Sequence, residues 1–340
     1  MFTPIYLLPQ RDVNDQRVYR RRWQTREGQR LYEKLLSIIR EGIAEDLLIQ
    51  ECDRNSQFLD SPWDLKGLYL QGERIEFADE ANFKRTNFSY ARFYKSVFKS
   101  ASFDNVAIEF ATIHDCEFVN CCFDFTSFYG VDLQKTRFIN CDFLEYDNIT
   151  NCDLIGVEFV NCFIPKALFF NCRFDELTRV SDLRAEPNTE WKETLDNKET
   201  AEIYKGIKEA YRAGQVVTIA DHYFLKERQA VTRYNRSRTT EKLFGYFLEF
   251  TAGYGIRPSR VLLTMIIALI VVTSPFMLKF GISDGFLIGA GAFFTFGANT
   301  DKLQTAGPFF KIWYVTGAFL GLCSIAFFVT VLANKWLNER

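Results

Sequence analysis

"FKRTNFSYARFYKSVFKSASF", Phe83 to Phe103, carries a phenylalanine at every fifth position. A beat of five fits neither the 3.6-residue period of a helix nor the two-residue alternation of a strand. It marks a repeat, and a repeat decides the fold before local propensity does. Followed outward, the beat continues through Ile108, Ile113, Phe118, Phe123, Phe128, Leu133, Phe138 and Phe143. One extra residue then enters, and the beat resumes at Ile149, Leu154, Phe159, Ile164, Phe169 and Phe174, nineteen beats in all. Two residues before nearly every beat stands a small or short residue, from Ala81, Thr86, Ala91, Ser96 and Ala101 to Cys172. Asp147, just after the extra residue, breaks this second pattern.

The double pattern closely resembles the pentapeptide repeat family, whose consensus is A(D/N)LXX. The resemblance implies a right-handed quadrilateral β-helix. Each pentapeptide makes one side and four make a coil, with the central residue and the small residue two before it pointing inward. Coils stacked at the ~4.8 Å strand spacing would make a rod of roughly 22 Å. Residues twenty apart then stack. Ala81, Ala101, Cys121, Cys141 and Cys162 fall in one column; Ala91, Ala111, Val131, Cys152 and Cys172 fall in another. A column does not converge as tetrahedral metal ligands must. These thiols are therefore expected to pack as small buried hydrophobes, and no metal or cofactor is expected. Cys122 points outward by the pattern and is the reactive candidate of this region.

The bulk composition narrows the function classes. The chain has 340 residues, 35 Phe against 3 Met, and a net charge of −2. That balance argues for neither nucleic acid nor an anionic surface. Some pentapeptide repeat proteins resemble duplex DNA in shape and charge and inhibit topoisomerases. Here Trp63 to Thr178 holds 18 acidic and 11 basic residues, a mixed net of −7. A rigid spacer or docking surface for a cytoplasmic protein partner or ligand is the stronger reading, and no nucleic acid partner is expected. The start "MFTPIYLLPQRDVNDQ" has no secretory signal pattern, so the bulk of the chain is expected in the cytoplasm with reduced thiols. There is no phosphate loop and no nucleophile with its base. His114 and His222 have no Ser, Cys or second His in pattern with them, so an enzyme is not expected.

Four domains follow from the shifts in pattern. Residues 1–60 form a helical cap, since solenoid ends need covering, and Leu31, Leu35, Leu36, Ile39 and Ile43 recur at helical spacing. Upstream, "RVYRRRWQTREGQR" is a basic stretch that suits a solvated face, with lipid headgroups or an acidic partner as alternatives. Residues 61–178 form the β-helix. Residues 179–259 form a helical connector and an interfacial helix. Its hairpin breaks at Gly214, with one stripe on Ile203, Tyr204, Ile207 and Tyr211 and another on Ala220, Tyr223 and Phe224. The hairpin is weakly similar to tetratricopeptide units. The stretch "EKLFGYFLEFTAGYGIRPSR" has aromatics and flanking Arg257 and Arg260 that suit a membrane interface. Its Gly253-Tyr254-Gly255 is read as a helix end and a turn into Pro258.

Residues 260–340 are the membrane domain. Val261 to Leu278 has no charge over 18 residues and Ile312 to Asn334 none over 23. At 1.5 Å per residue these reach about 27 Å and 35 Å, against a hydrocarbon core of ~30 Å. Between them "GFLIGAGAFFTFGA", Gly285 to Ala298, reaches only about 21 Å as a helix and is a candidate re-entrant segment. The order resembles the two-span potassium-channel pore family over roughly Arg260 to Trp336. "GAFFTFGANTD" is similar to the end of its pore helix, and "AGPFFKIWYVTGAFLGLCSIAFFVTVLANKW" to its inner helix. The family's TVGYG filter is absent. In its place stand Thr295, Phe296, Gly297, Ala298, Asn299, Thr300 and Asp301, so potassium selectivity is not carried over. Asp301 would make a ring of carboxylates in an oligomer, and such rings favour cations.

Arg233, Arg236, Arg238, Lys242, Arg257 and Arg260 precede the first span, and Lys335 and Arg340 end or follow the second. The positive-inside rule then puts both termini in the cytoplasm, with the chain in the inner, or plasma, membrane. Two expectations compete. One is an oligomeric ion channel in the lipid bilayer, tetrameric by resemblance and regulated through the solenoid. The other is a membrane-anchored scaffold whose channel-like anchor does not conduct.

Overall fold

Corners, more than strands, set the shape of the repeat. Two residues after most central side chains the backbone turns left-handed: Lys95 (φ 50°), Ser100 (φ 54°), Asn105 (φ 56°), Asp115 (φ 54°), Asn120 (φ 54°), Asn140 (φ 54°) and Asn161 (φ 52°) among others. Asn and Asp tolerate this region best after glycine, which explains the asparagines at that register. Between corners only two or three residues stay extended, as in Arg92–Tyr94, Thr112–His114 and Arg137–Ile139. The chain is described here from a computed structural model, which covers residues 13–40, 64–83, 85–144, 147–165, 168–184, 196–234, 239–295, 302–303 and 305–338. Two compact units result, Met1–Tyr234 and Asn235–Arg340.

In the first unit the short strands pair in parallel into a β-solenoid, each with the strand one coil away. Phe98 lies beside Phe118, and Phe118 beside Phe138, at steps of twenty. Across the extra residue the step becomes 21, with Phe138 beside Phe159 and Phe128 beside Ile149. Rings stack in two columns. Phe98, Phe118, Phe138 and Phe159 have centroids 4.9, 5.1 and 5.0 Å apart. Phe83, Phe103, Phe123 and Phe143 are 5.2, 5.0 and 4.8 Å apart. The two columns meet edge to face, as Phe98 does Phe103, which is the arrangement ring quadrupoles favour.

The second inward position has its own chemistry. Cys121, Cys141 and Cys162 aim their Sγ at the carbonyls of Phe98, Phe118 and Phe138, at 3.4, 3.2 and 3.3 Å. Thr126 and Thr136 do the same to Phe103 and Ile113 at 2.8 Å. A small side chain that carries a donor is thus favoured there. The extra residue has a matching device. Beside it, buried Asp147 accepts from the Thr126 and Leu144 N–H groups, both at 2.7 Å. A six-residue step from Phe174 to Val180 has the same device. There Asp175 accepts from the Gly156 and Thr178 N–H groups, both at 2.9 Å.

The solenoid extends beyond the beat at both ends. Leu65, Leu70 and Ile75 are buried and form a first coil, with Leu70 beside Phe93 and Ile75 beside Phe98 at steps of 23. Arg179–Ser181 pairs with Glu158–Val160, so the last coil passes the expected boundary at 178. The N-terminal cap comprises α1 (Val13–Arg22) and α2 (Arg26–Arg40). Leu31, Leu35, Leu36 and Trp23 join the core; Ile43 lies outside the described residues. Arg22 of the basic stretch is structural. It makes a two-pronged bond to Asp64 at 2.7 and 3.0 Å. Burial would raise the Asp64 carboxyl, but the guanidinium holds it below the usual range.

The hairpin expected as a connector is instead the second cap. It consists of α3 (Asn197–Ala213) and α4 (Val217–Tyr234). Tyr211 and Tyr223 donate to the Thr178 and Val180 carbonyls at 2.7 and 2.6 Å, and Tyr211 packs edge-on against Phe174. At Gly214 a Cβ would meet the Phe174 carbonyl oxygen at 1.7 Å, so the hairpin break is glycine because the last coil presses on it. The expected 179–259 domain therefore divides near Tyr234.

The second unit is helical: α5 (Thr239–Ala252), α6 (Pro258–Phe280), α7 (Ile282–Phe294) and α8 (Pro308–Asn338). Two of these, α6 and α8, are long and apolar enough to cross a membrane. Gly253, Tyr254 and Gly255 have φ of 53°, 55° and 85° and turn the chain from α5 into α6, as the sequence predicts.

Candidate functional site

The short helix α7 sits against both long helices, and glycines are the reason. A Cβ on Gly285 would meet the Met277 backbone of α6 at 2.3 Å, and one on Gly289 the Thr273 Cα at 2.7 Å. On α8, a Cβ at Gly321 would meet the Phe293 carbonyl oxygen of α7 at 1.7 Å, and one at Gly317 a Val272 methyl at 2.6 Å. Gly285, Gly289 and Gly321 lie too close to a neighbouring backbone for any side chain, and Gly317 lies against a side-chain methyl. Such small-residue contacts are how helices pack where lipid is the solvent. The α6–α7 corner is Gly281 (φ 89°), a conformation that disfavours residues with a Cβ.

Polar groups inside this cluster are accounted for. Pro275 lies within α6 and lacks the N–H that would bond the Val271 carbonyl; Ser274 Oγ donates to that oxygen at 3.1 Å. Trp313 Nε1 reaches across from α8 to the Val272 carbonyl at 3.2 Å. Lys302 pairs with Asp284 in the first turn of α7. Opposite charges flanking an apolar run are visible in the sequence, and this pairing is the signal that its reading missed.

Of the filter-like residues, Thr295 is described and caps α7. Its φ of 57° is left-handed, its N–H bonds Ala292 O at 3.1 Å, and its hydroxyl donates to Phe294 O at 2.7 Å. Phe296, Gly297, Ala298, Asn299, Thr300 and Asp301 lie outside the described residues. They follow the C-terminal end of α7, the end at which a helix dipole is negative.

In the first unit the reactive candidate is corrected. Burial, then the carboxylates of Asp142, Asp147 and Asp124, push the Cys122 thiol up to about 12. A thiol so raised has almost no nucleophilic thiolate near neutral pH. Cys116 is likewise pushed to about 12 by burial. His114 lies 3.0 Å from Asp132 and edge-on to Tyr94; His222 abuts Tyr223. Among the described residues no group of His, Cys, Asp and Glu could hold a metal ion.

Residues 79–109 match the family model described as Pentapeptide repeats, in 8 copies. No curated protein matches the chain. Solved structures similar to it include Rfr23, a pentapeptide repeat protein from the cyanobacterium Cyanothece 51142. It is 17% identical over 38% of this chain and 99% of that one, with a TM-score of 0.22. Trypsin-treated QnrB1, a plasmid-mediated fluoroquinolone resistance protein, is 17% identical over 36% of this chain and 77% of its own, with a TM-score of 0.19. Full-length QnrB1 is 14% identical over 36% and 80%, with a TM-score of 0.16.

Proposed function

We propose that this chain, whose solenoid is built of pentapeptide repeats, is an oligomeric membrane channel that passes cations without potassium selectivity. One observation carries the reading. A helix too short to cross a bilayer is locked by glycine contacts between two helices that are long enough. Non-helical backbone at membrane depth is tolerated only where protein or a watery cavity surrounds it, and α7 has protein on two sides. Two long helices cannot enclose a pore, so several copies must. The segment Thr295 to Asp301 would then ring the axis. The partial negative end of α7 and the Asp301 carboxylates favour cations there. The solenoid, with a cap at each end, is the regulatory part and offers its faces to a cytoplasmic partner.

The second reading is a membrane-anchored scaffold. What favours it is the solenoid itself, a rigid surface far larger than the membrane unit needs. Ion flux separates the two. In planar bilayers with asymmetric salt, the full chain should carry a cation-selective current, and Asp301→Asn should move its reversal potential toward that of a nonselective pore. Silence of the full chain at both polarities, and of a form lacking the solenoid, would leave the scaffold reading.

A further inference from the structure

The last structured element before the first long helix has its polarity reversed. In α5, Leu243, Phe247 and Phe250 recur at i, i+4 and i+7, with Phe244 and Tyr246 beside them. These five are 63%, 60%, 72%, 60% and 49% exposed. Lys242, Gly245 and Glu249, on the other side of the helix, are half-buried. A water-solvated surface helix turns its polar stripe outward and its apolar stripe inward. Here the outward face is the aromatic one, and single exposed residues do not explain five on one face.

We propose that α5 is an in-plane membrane-surface helix, with this aromatic face seated at the headgroup–acyl boundary of a lipid bilayer. The proposal rests on the membrane reading of α6 and α8 given above. Length excludes a span: 14 residues reach about 21 Å. Composition fits the interface, where aromatic rings with Lys and Arg at their margin are enriched; Lys242, Arg257 and Arg260 supply the margin.

Continuity selects lipid over a second copy of the chain. Arg260 Nη1 donates to the Glu249 carbonyl at 2.7 Å, and Thr264 Oγ1 to the Thr251 carbonyl at 3.2 Å. Both bonds fasten the C-terminal end of α5 to the first turns of α6. Just beyond them, α6 exposes Leu262, Leu263, Ile266 and Ile267. The exposed apolar residues of α5 and α6 are thus tied together at one corner, with exposed Arg257 and Ser259 at the turn between them; an aromatic surface helix, a cationic turn and an apolar helix follow the order that a bilayer imposes from headgroup to acyl chain.

The test uses photo-crosslinking in the full chain, reconstituted in vesicles of phosphatidylethanolamine and phosphatidylglycerol. p-Benzoylphenylalanine is placed in turn at position 247, at 241 on the polar side, and at 267 on α6, and adducts are identified by mass spectrometry. Lipid adducts at 247 should exceed those at 241 several-fold, with 267 labelling acyl carbons nearer the bilayer centre. If 267 gives lipid adducts while 247 gives protein–protein adducts, or no more lipid than 241, the α5 proposal is overturned and the membrane reading stands. If 267 gives no lipid adduct, the membrane reading itself fails and takes the α5 proposal with it.

Discussion

Phe138 and Phe319 are the same residue in opposite surroundings. Phe138 is 0% exposed, between stacked rings above and below it; Phe319, on α8, is 66% exposed. The contrast holds across the two units. The solenoid buries its repeat phenylalanines, and most of its corners are polar, Phe110 and Phe125 being exceptions. The second unit buries Phe276 and Phe293 but exposes Phe247, Phe250, Phe286, Phe309 and Phe319 among others, and its two long helices bury only 22% and 17% of their most apolar stretches. The hydrophobic effect closes the solenoid, whereas small-residue contact and satisfied carbonyls hold the second unit together.

The largest test of this contrast is a matched pair of substitutions in the full chain, in lipid nanodiscs, with unfolding followed by circular dichroism. Phe138→Ala should lower the stability of the solenoid by about 3–5 kcal/mol, because a large buried ring leaves a cavity in a stack that cannot collapse. Phe319→Ala should change stability by no more than ~0.5 kcal/mol, as surface substitutions usually do. A comparable loss in both would mean that α8 packs against protein there, and the contrast would be broken.

The solenoid was legible in the sequence because its rule is local: one inward residue in five, one small or short residue two before it. What escaped is where the rule slips. Ile75 to Phe83 is a step of eight, so the first coil on Leu65, Leu70 and Ile75 is off the beat. Val180 follows Phe174 by six and was missed for the same reason. Asp147 was visible as an exception but not as a remedy, because the two backbone N–H groups it satisfies belong to different coils. Cys122 misled because outward direction is not exposure. Tyr211 and Tyr223 read as a helical stripe, yet they cap the last coil through hydroxyls that no periodicity encodes. In the second unit the short apolar segment and its place between two long apolar helices were legible from length alone. The glycine contacts, the Ser274 and Trp313 bonds and the Asp284–Lys302 pair were not, since each joins residues through a geometry that only the fold supplies.

A finer test asks what the remedy at the extra residue requires. Asp147 and Asp175 do the same task, and their carboxyls move in opposite directions. Burial pushes Asp147 up to about 8 despite two N–H donors. For the less buried Asp175, burial also raises, but the bonds from Thr178 and Gly156 win and the carboxyl falls below its usual value of 3.8. A folded value raised above the unfolded one gives stability that is fully present below about 3.8 and is lost as pH rises through about 8. At low pH the Asp147 carboxylic acid keeps a carbonyl oxygen and a hydroxyl oxygen that can both accept from the two N–H groups, whereas an asparagine amide has one accepting oxygen, so Asp147→Asn should be less stable there by about 1–3 kcal/mol. The gap should narrow steadily as pH climbs toward 8. Melting curves of the two proteins that stay parallel from acid to pH 8 would contradict this account.

The smallest expected effect lies on the solenoid's surface, where two terms oppose each other. Phe110 occupies a corner at φ 52°, the left-handed region that disfavours bulky side chains by roughly 1–2 kcal/mol. Its ring stacks on Tyr90 at 5.6 Å and meets Tyr129 edge-on at 5.5 Å, and Tyr19 of the N-terminal cap extends the ladder from Tyr90 at 5.5 Å. Ring pairs of this kind contribute about 0.5–1.5 kcal/mol each. Phe110→Asn would relieve the corner, as the asparagines at Asn105, Asn120 and Asn140 already do, and would remove both ring contacts. The net change in global stability should fall within about 1 kcal/mol of zero. The ladder links the cap to the coils, so its loss should show locally even where the global balance is even: amide exchange should quicken around Tyr19 and Tyr90 relative to the Phe138 region. Unchanged protection at Tyr19 would show that the cap is held by Arg22, Trp23 and the buried leucines of α2 without the ladder, and that the ladder is only a sum of surface contacts.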